Sequence, residues 1–320
     1  MANPRIVYLG TPDFAVPPLR RLLDEGFDVV GVVTNPDKPA GRGQRLQESA
    51  VKQFAASRGI PLLQPERFRD ESFLAQLRAW RADLQIVVAF KMLPPEVWAM
   101  PPLGTVNLHA SLLPDYRGAA PIHRAVMNGE TSTGVTTFLL KQEMDAGNLI
   151  FRERVEIGPS TTAGELHDLL AERGAALLLE TVRAMAAGDY PLVDQSTLLQ
   201  GRAPKLAPKI FKEEMKIDWR REGQAIYNHL RGLSPFPTAW TELRHRRDGE
   251  KISLKIFSAA WEPLDHHYPA GIVEGERERL SVYVRGGLIH VTELQLPGKK
   301  RMPAREFLRG FPLDHYTLDL

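Results

Sequence analysis

The chain of 320 residues contains no cysteine. That excludes thiolate nucleophiles, disulfides and cysteine-based zinc sites, and it fits a reducing compartment. No apolar run approaches the length needed to span a bilayer, and the first ten residues lack a basic stretch followed by a cleavable apolar segment. The cytoplasm is therefore the expected location. Charge of one sign is also missing in the total, since 41 Lys and Arg stand against 39 Asp and Glu. The nine histidines show no HExxH-type spacing, so no metal is expected. The first glycine turn, Gly10-Thr11-Pro12-Asp13-Phe14, lacks the GxGxxG spacing of a dinucleotide site, and Pro12 and Asp13 would crowd a pyrophosphate there.

What is present begins with pattern. Residues 5–9 form an apolar run, residues 14–23 a helical pattern, and residues 27–33 a second apolar run. Strand, helix, strand at this spacing predicts a doubly wound, mostly parallel Rossmann-like α/β sheet. Further strands are expected at 84–90 and 104–109, with helices at 49–58, 72–81 and 121–128. A long helix is expected over 160–187, with Ser160, Thr161 and Thr162 as capping candidates and Leu166, Leu169, Leu170, Leu177, Leu178 and Val182 as its apolar stripe. Residues 189–208 hold several prolines and no clear period, which predicts a linker. Beyond it come a helix at 223–231 and short alternating strands at 238–243, 251–258, 280–284 and 288–296, the pattern of a small barrel. The expected division is 1–188, 189–208 and 209–320. Residues 1–204 carry 21 Lys and Arg against 23 Asp and Glu, whereas residues 205–320 carry 20 against 16. The C-terminal excess fits either a polyanionic partner or an ordinary solvated surface.

The chemistry centres on Asn107-Leu108-His109, followed by Asp145. At positions i and i+2 of a strand, Asn107 and His109 leave on one face, while Leu108 points the other way. An amide N–H and an imidazole can together hold negative charge on a carbonyl under attack, and the imidazole can pass a proton near neutrality. A carboxylate on another loop can orient that imidazole and assist proton removal from a nucleophile. The trio predicts acyl transfer without a covalent enzyme intermediate.

These residues stand in a longer pattern: Ser111-Leu112-Leu113-Pro114, Tyr116-Arg117-Gly118-Ala119-Ala120-Pro121-Ile122, Gly134-Val135-Thr136 and Met144-Asp145-Ala146-Gly147. In order and spacing they resemble the formyltransferases that use 10-formyltetrahydrofolate. The resemblance runs from Ile6 to the C-terminal region, and Ala207-Pro208-Lys209-Ile210-Phe211 and Lys216-Ile217-Asp218-Trp219 are similar to the domain junction of the branch acting on methionyl-initiator tRNA. It implies that the C-terminal part is an OB-like barrel that helps bind tRNA, with Gly298-Lys299-Lys300-Arg301-Met302 matching that domain's end. It implies Asn107, His109 and Asp145 as catalytic residues. The folate would lie near residues 88–92 and 111–114, with Phe90, Met92, Ser111, Leu112, Leu113, Pro114 and Asp145 as the contacts, largely through backbone. One departure is visible: the family often has Ala-Tyr-Gly where Ala89-Phe90-Lys91-Met92-Leu93-Pro94 stands here, one residue shorter. Residues 35–45, rich in glycine, proline and cations, read as a surface loop or a mere connector. The resemblance implies that Arg42 meets the acceptor end of the tRNA, with Lys38 and Arg45 beside it and Lys209 at the junction. Three other readings stay open: an amino sugar nucleotide or glycinamide ribotide as acceptor, hydrolysis of the formyl folate, and a non-catalytic nucleic-acid-binding protein.

Overall fold

The apolar runs form strands buried on both faces. In the computed structural model, which describes residues 3–40, 45–276 and 279–320, Arg5–Gly10 and Leu84–Val88 are buried almost throughout and lie side by side in parallel. The sheet runs in the order Leu149–Glu156, Ser132–Leu139, Thr105–His109, Leu84–Val88, Arg5–Gly10, Asp28–Val33, Leu62–Leu63. Arg5–Gly10 is parallel to its neighbours on both sides, and Thr105–His109 is parallel to Leu84–Val88. Ser132–Leu139 runs antiparallel to Thr105–His109, which makes the sheet mixed.

The chain leaves Arg5–Gly10 toward Asp28–Val33 on one side and later returns through Leu84–Val88 on the other. Such a reversal opens a crevice at the carboxyl ends of the strands, where open α/β sheets bind ligands. Below it, Val7, Leu9, Val33 and Val87 pack against Phe73, Leu74 and Leu77. Full burial of each such side chain contributes roughly 1.5–3 kcal/mol.

Local chemistry sets the boundaries. Residues 14–23 were expected as one helix, but Asp13–Ala15 is a 3-10 turn and the α-helix is Val16–Asp24. Pro17 and Pro18 occupy its first turn, the only part of a helix where a missing N–H costs nothing. The strand expected to reach Phe90 stops at Val88, because Ala89 turns to φ 47. The helix Ala163–Ala187 opens on a capping box in which Thr162 Oγ1 accepts from the Glu165 N–H and Glu165 Oε2 from the Thr162 N–H. Leu166, Leu170, Leu177, Leu178 and Val182 are buried along it, but Leu169, counted in the same stripe, is 40% exposed.

The stretch 189–208 was read as a linker, but residues up to 207 belong to one compact unit with residues 1–121, 133–156 and 167–188. Asp194 caps the short helix Gln195–Leu199, Leu149 and Val193 exchange backbone bonds, and Leu206–Ala207 pairs in parallel with Arg117–Gly118. Its order comes from backbone pairing with distant segments, which leaves no hydrophobic period to read.

Residues 122–132, 157–166 and 208–320 form a second compact unit. Its sheet runs Val273–Glu276, Arg279–Val284, Gly287–Gln295, Lys251–Pro263, Ala239–His245, Tyr316–Leu318, and its pairings are antiparallel. Register shifts between Ile256 and Ala259 bend the longest strand, and the sheet curls into a near-closed barrel. Trp219, Leu243, Leu254, Val282, Val291 and Phe307 fill its interior. The buried Trp219 indole donates to Thr241 Oγ1 at 2.9 Å, which satisfies its one polar atom.

Candidate active site

The strand Thr105–His109 ends at the carboxyl edge of the sheet and carries Asn107 half-buried and His109 buried. His109 Nε2 lies 2.9 Å from the Tyr116 carbonyl oxygen. A carbonyl only accepts, so Nε2 carries the proton of the neutral ring and Nδ1 is left as the nitrogen free to exchange one. Nδ1 faces Asp145 Oδ2 at 4.0 Å. That is an ion-pair distance and too long for a direct hydrogen bond. The same Oδ2 accepts from the Gly118 N–H at 2.9 Å. Amide, imidazole and carboxylate thus come from a strand end and a loop some thirty-five residues later.

The loop after His109 is tied down by polar contacts. Thr136 Oγ1 donates to the Ser111 carbonyl at 2.6 Å and accepts from the Leu113 N–H at 3.1 Å, and Arg152 Nη1 donates to the Leu113 carbonyl at 3.0 Å. Burial pushes the Asp115 carboxyl up, but the two nitrogens of Arg202 at 2.7 Å and the Lys205 N–H outweigh it and hold the group below the usual carboxylate range. Gly118 takes φ 124, and an added Cβ would stand 2.5 Å from the Ala207 carbonyl oxygen.

Residues expected to contact folate fall into two sets. Ser111 is fully buried with its hydroxyl donating to the Asp115 carbonyl, and the Leu113 side chain packs on Phe138 and Leu149. Leu112 is half-buried and Pro114 buried. The Ser111 carbonyl and both backbone polar groups of Leu113 are already bonded within the fold, and Leu112 is the side chain of this loop left partly exposed. On the neighbouring strand end, Phe90 packs against Phe68 while Met92 is 67% exposed.

Of the cations expected to meet tRNA, Lys38 is exposed on the strand Lys38–Ala40, which pairs with Arg45–Gln47. Arg42 lies outside the described residues. Lys209 is exposed, and its ammonium stands 5.7 Å from the centre of the Phe211 ring. Sequence reasoning missed Gln195 and Arg152 and gave Thr136 a place in a motif but no role; their contacts with the site loops cross long stretches of chain.

The formyl transferase family matches residues 4–182, and the formyl transferase C-terminal domain matches residues 209–312. A Bacteroides fragilis protein named methionyl-tRNA formyltransferase is 51% identical over 310 residues, 97% of this chain and 95% of its own length. A protein of the same name from Parabacteroides distasonis is 52% identical over 318 residues, 98% of each chain. Among solved structures, HypX from Aquifex aeolicus in complex with tetrahydrofolic acid superposes with a TM-score of 0.65 at 18% identity, over 97% of this chain and 48% of HypX. An N-formyltransferase from Helicobacter canadensis with folinic acid and dTDP-3-aminofucose gives 0.63 at 17% identity, over 90% of this chain and 98% of its own. At these identities the two structures establish a shared fold alone.

Proposed function

The chain belongs to the formyl transferase family in both its parts, and from that premise we propose that it moves the formyl group of 10-formyltetrahydrofolate to the α-amino group of methionyl-initiator tRNA. The product is N-formylmethionyl-tRNA for translation initiation. The observation that carries this reading is identity above 50% along nearly the whole chain, barrel included, to proteins named for that reaction. The enzyme would act in the cytoplasm, where initiator tRNA is used, and among the described residues no helix is long and apolar enough to cross a membrane.

The donor supplies an activated carbonyl carbon. Strand-end backbone at residues 89–92 would meet the amide edge of a pterin, and the loop 111–114, held rigid by Thr136 and Arg152, would wall its ring with the half-buried Leu112. Asn107 and His109 then face the carbonyl oxygen from one strand face. The Asn107 amide donates to the charge that gathers there as the amine adds, and preorganised donors of this kind need no rearrangement during the reaction. His109, with Nε2 held by Tyr116, works through Nδ1, which donates a proton to the oxygen or the departing nitrogen. Asp145, with Oδ2 4.0 Å from Nδ1, orients that imidazole and accepts the proton lost by the amine. Residues 1–188 would hold this chemistry and residues 209–320 would contribute tRNA binding. Arg42, flanked by Lys38 and Arg45, and Lys209 would meet the tRNA, since a guanidinium pairs with phosphate and stacks on unpaired bases.

The test is direct: incubate the protein with 10-formyltetrahydrofolate and methionyl-tRNA and look for formylmethionyl-tRNA. Formate release without an amine acceptor, or formylation of an amino sugar nucleotide in place of the tRNA, would replace this reading with one of its rivals.

A further inference from the structure

Asp145 stands at φ 50, in the left-handed region that a non-glycine residue holds only when its surroundings impose it. One side chain bonds the backbone at this turn. Gln195 Nε2 donates to the carbonyl oxygens of Asp145 and Gly147, each at 2.8 Å. Its Oε1 accepts from Arg117 Nε at 3.1 Å and Nη2 at 2.7 Å. A guanidinium only donates and a carbonyl only accepts, so this amide can sit only one way round, and both its N–H bonds and both its lone pairs are used. Gln195 is 1% exposed. The residue after Arg117 is Gly118, whose N–H holds the Asp145 carboxylate. One amide therefore fixes the backbone under Asp145 directly and, through Arg117, the segment that grips its carboxylate.

We propose that Gln195 is a positioning residue for formyl transfer, setting the Asp145 carboxylate against His109 from a segment that lies between the two family-matched stretches. The proposal rests on the catalytic reading of Asp145. A buried, fully satisfied amide is a rigid strut, and a displacement of about 1 Å at a reacting group is enough to cost on the order of 100-fold in rate.

The test uses the full-length protein with Gln195→Met, which keeps the volume and loses every polar bond. Gln195→Glu keeps the acceptor for Arg117 and loses the donors. Both should lower kcat about 10- to 100-fold. KM for methionyl-tRNA and for 10-formyltetrahydrofolate should stay within about threefold, the kcat–pH profile should shift, and melting should fall, because buried carbonyls lose their donor, but stay cooperative and above the assay temperature. In an Asp145→Ala background, Gln195→Met should slow turnover no further. Wild-type kcat and pH profile in both variants would overturn the proposal, as would an additive loss in the double variant or failure of both single variants to fold. If Asp145→Ala alone keeps near-wild-type turnover, the catalytic reading of Asp145 fails by itself, and any loss in the Gln195 variants then belongs to a structural role.

Discussion

His109 has one nitrogen committed to Tyr116 and one facing Asp145. We therefore expect His109→Ala, Asn107→Ala and Asp145→Ala each to lower kcat by on the order of 100-fold or more, the usual cost of losing one charge-stabilising group. Steady-state kinetics beside thermal melting separates this from unfolding, and near-wild-type turnover in all three variants would sink the site. Gly118→Ala tests the loop from the other side. At φ 124, with the Ala207 carbonyl in the path of any Cβ, that substitution should cost about 1–3 kcal/mol in urea unfolding and lower kcat, because Gly118 also holds Asp145. Unchanged stability and turnover would show that the pairing with Leu206–Ala207 yields freely. Asn107 and His109 were legible in the sequence because a strand puts i and i+2 on one face. Gln195 was not, because its partners lie about fifty and seventy-eight positions away and nothing local distinguishes it.

Among elements, the parallel strands were legible because burial on both faces leaves unbroken apolar runs, as in Arg5–Gly10 and Leu84–Val88. Ser132–Leu139 and Leu149–Glu156 were not anticipated. The first carries the buried Thr136 and Thr137, whose hydroxyls bond within the fold, and the second alternates as an edge strand with charges outward. The helix expected at residues 223–231 is present as Gly223–Gly232 and carries a titration the sequence does not reveal. Burial pushes the His229 imidazole down to about 4. Between pH 6.5 and about 4 the unfolded chain binds this proton and the folded chain does not, so stability rises with pH across that window and falls on acidification. The full effect is about 3 kcal/mol. Urea midpoints at pH 7 and 4.5 should diverge in the wild type and converge in part in His229→Gln. Equal divergence in both would assign the acid sensitivity to other groups.

At the scale of the whole molecule, near-neutrality hides an uneven distribution: a slight acidic excess in residues 1–204 and a basic excess of 20 against 16 in residues 205–320. Fields of that size do not make a fold, but they set how a polyanion approaches. If about four phosphates are engaged, counterion release gives a slope on the order of −3.5 for log affinity against log salt. The KM for methionyl-tRNA should therefore rise steeply with salt while the KM for 10-formyltetrahydrofolate changes little. The intact chain is the proper object for this test. Residues 122–132 and 157–166 belong to the second compact unit, so a cut near residue 200 would strand them without the partners they pack against. Within the intact chain, Arg42→Ala and Lys209→Ala should each weaken tRNA use and lower the slope by about one, as the loss of one phosphate contact requires, and leave folate titration unchanged. A flat salt dependence would remove the electrostatic basis for the C-terminal assignment. A variant that loses folate and tRNA affinity together would mean that the cation supports the site structurally and does not touch the tRNA.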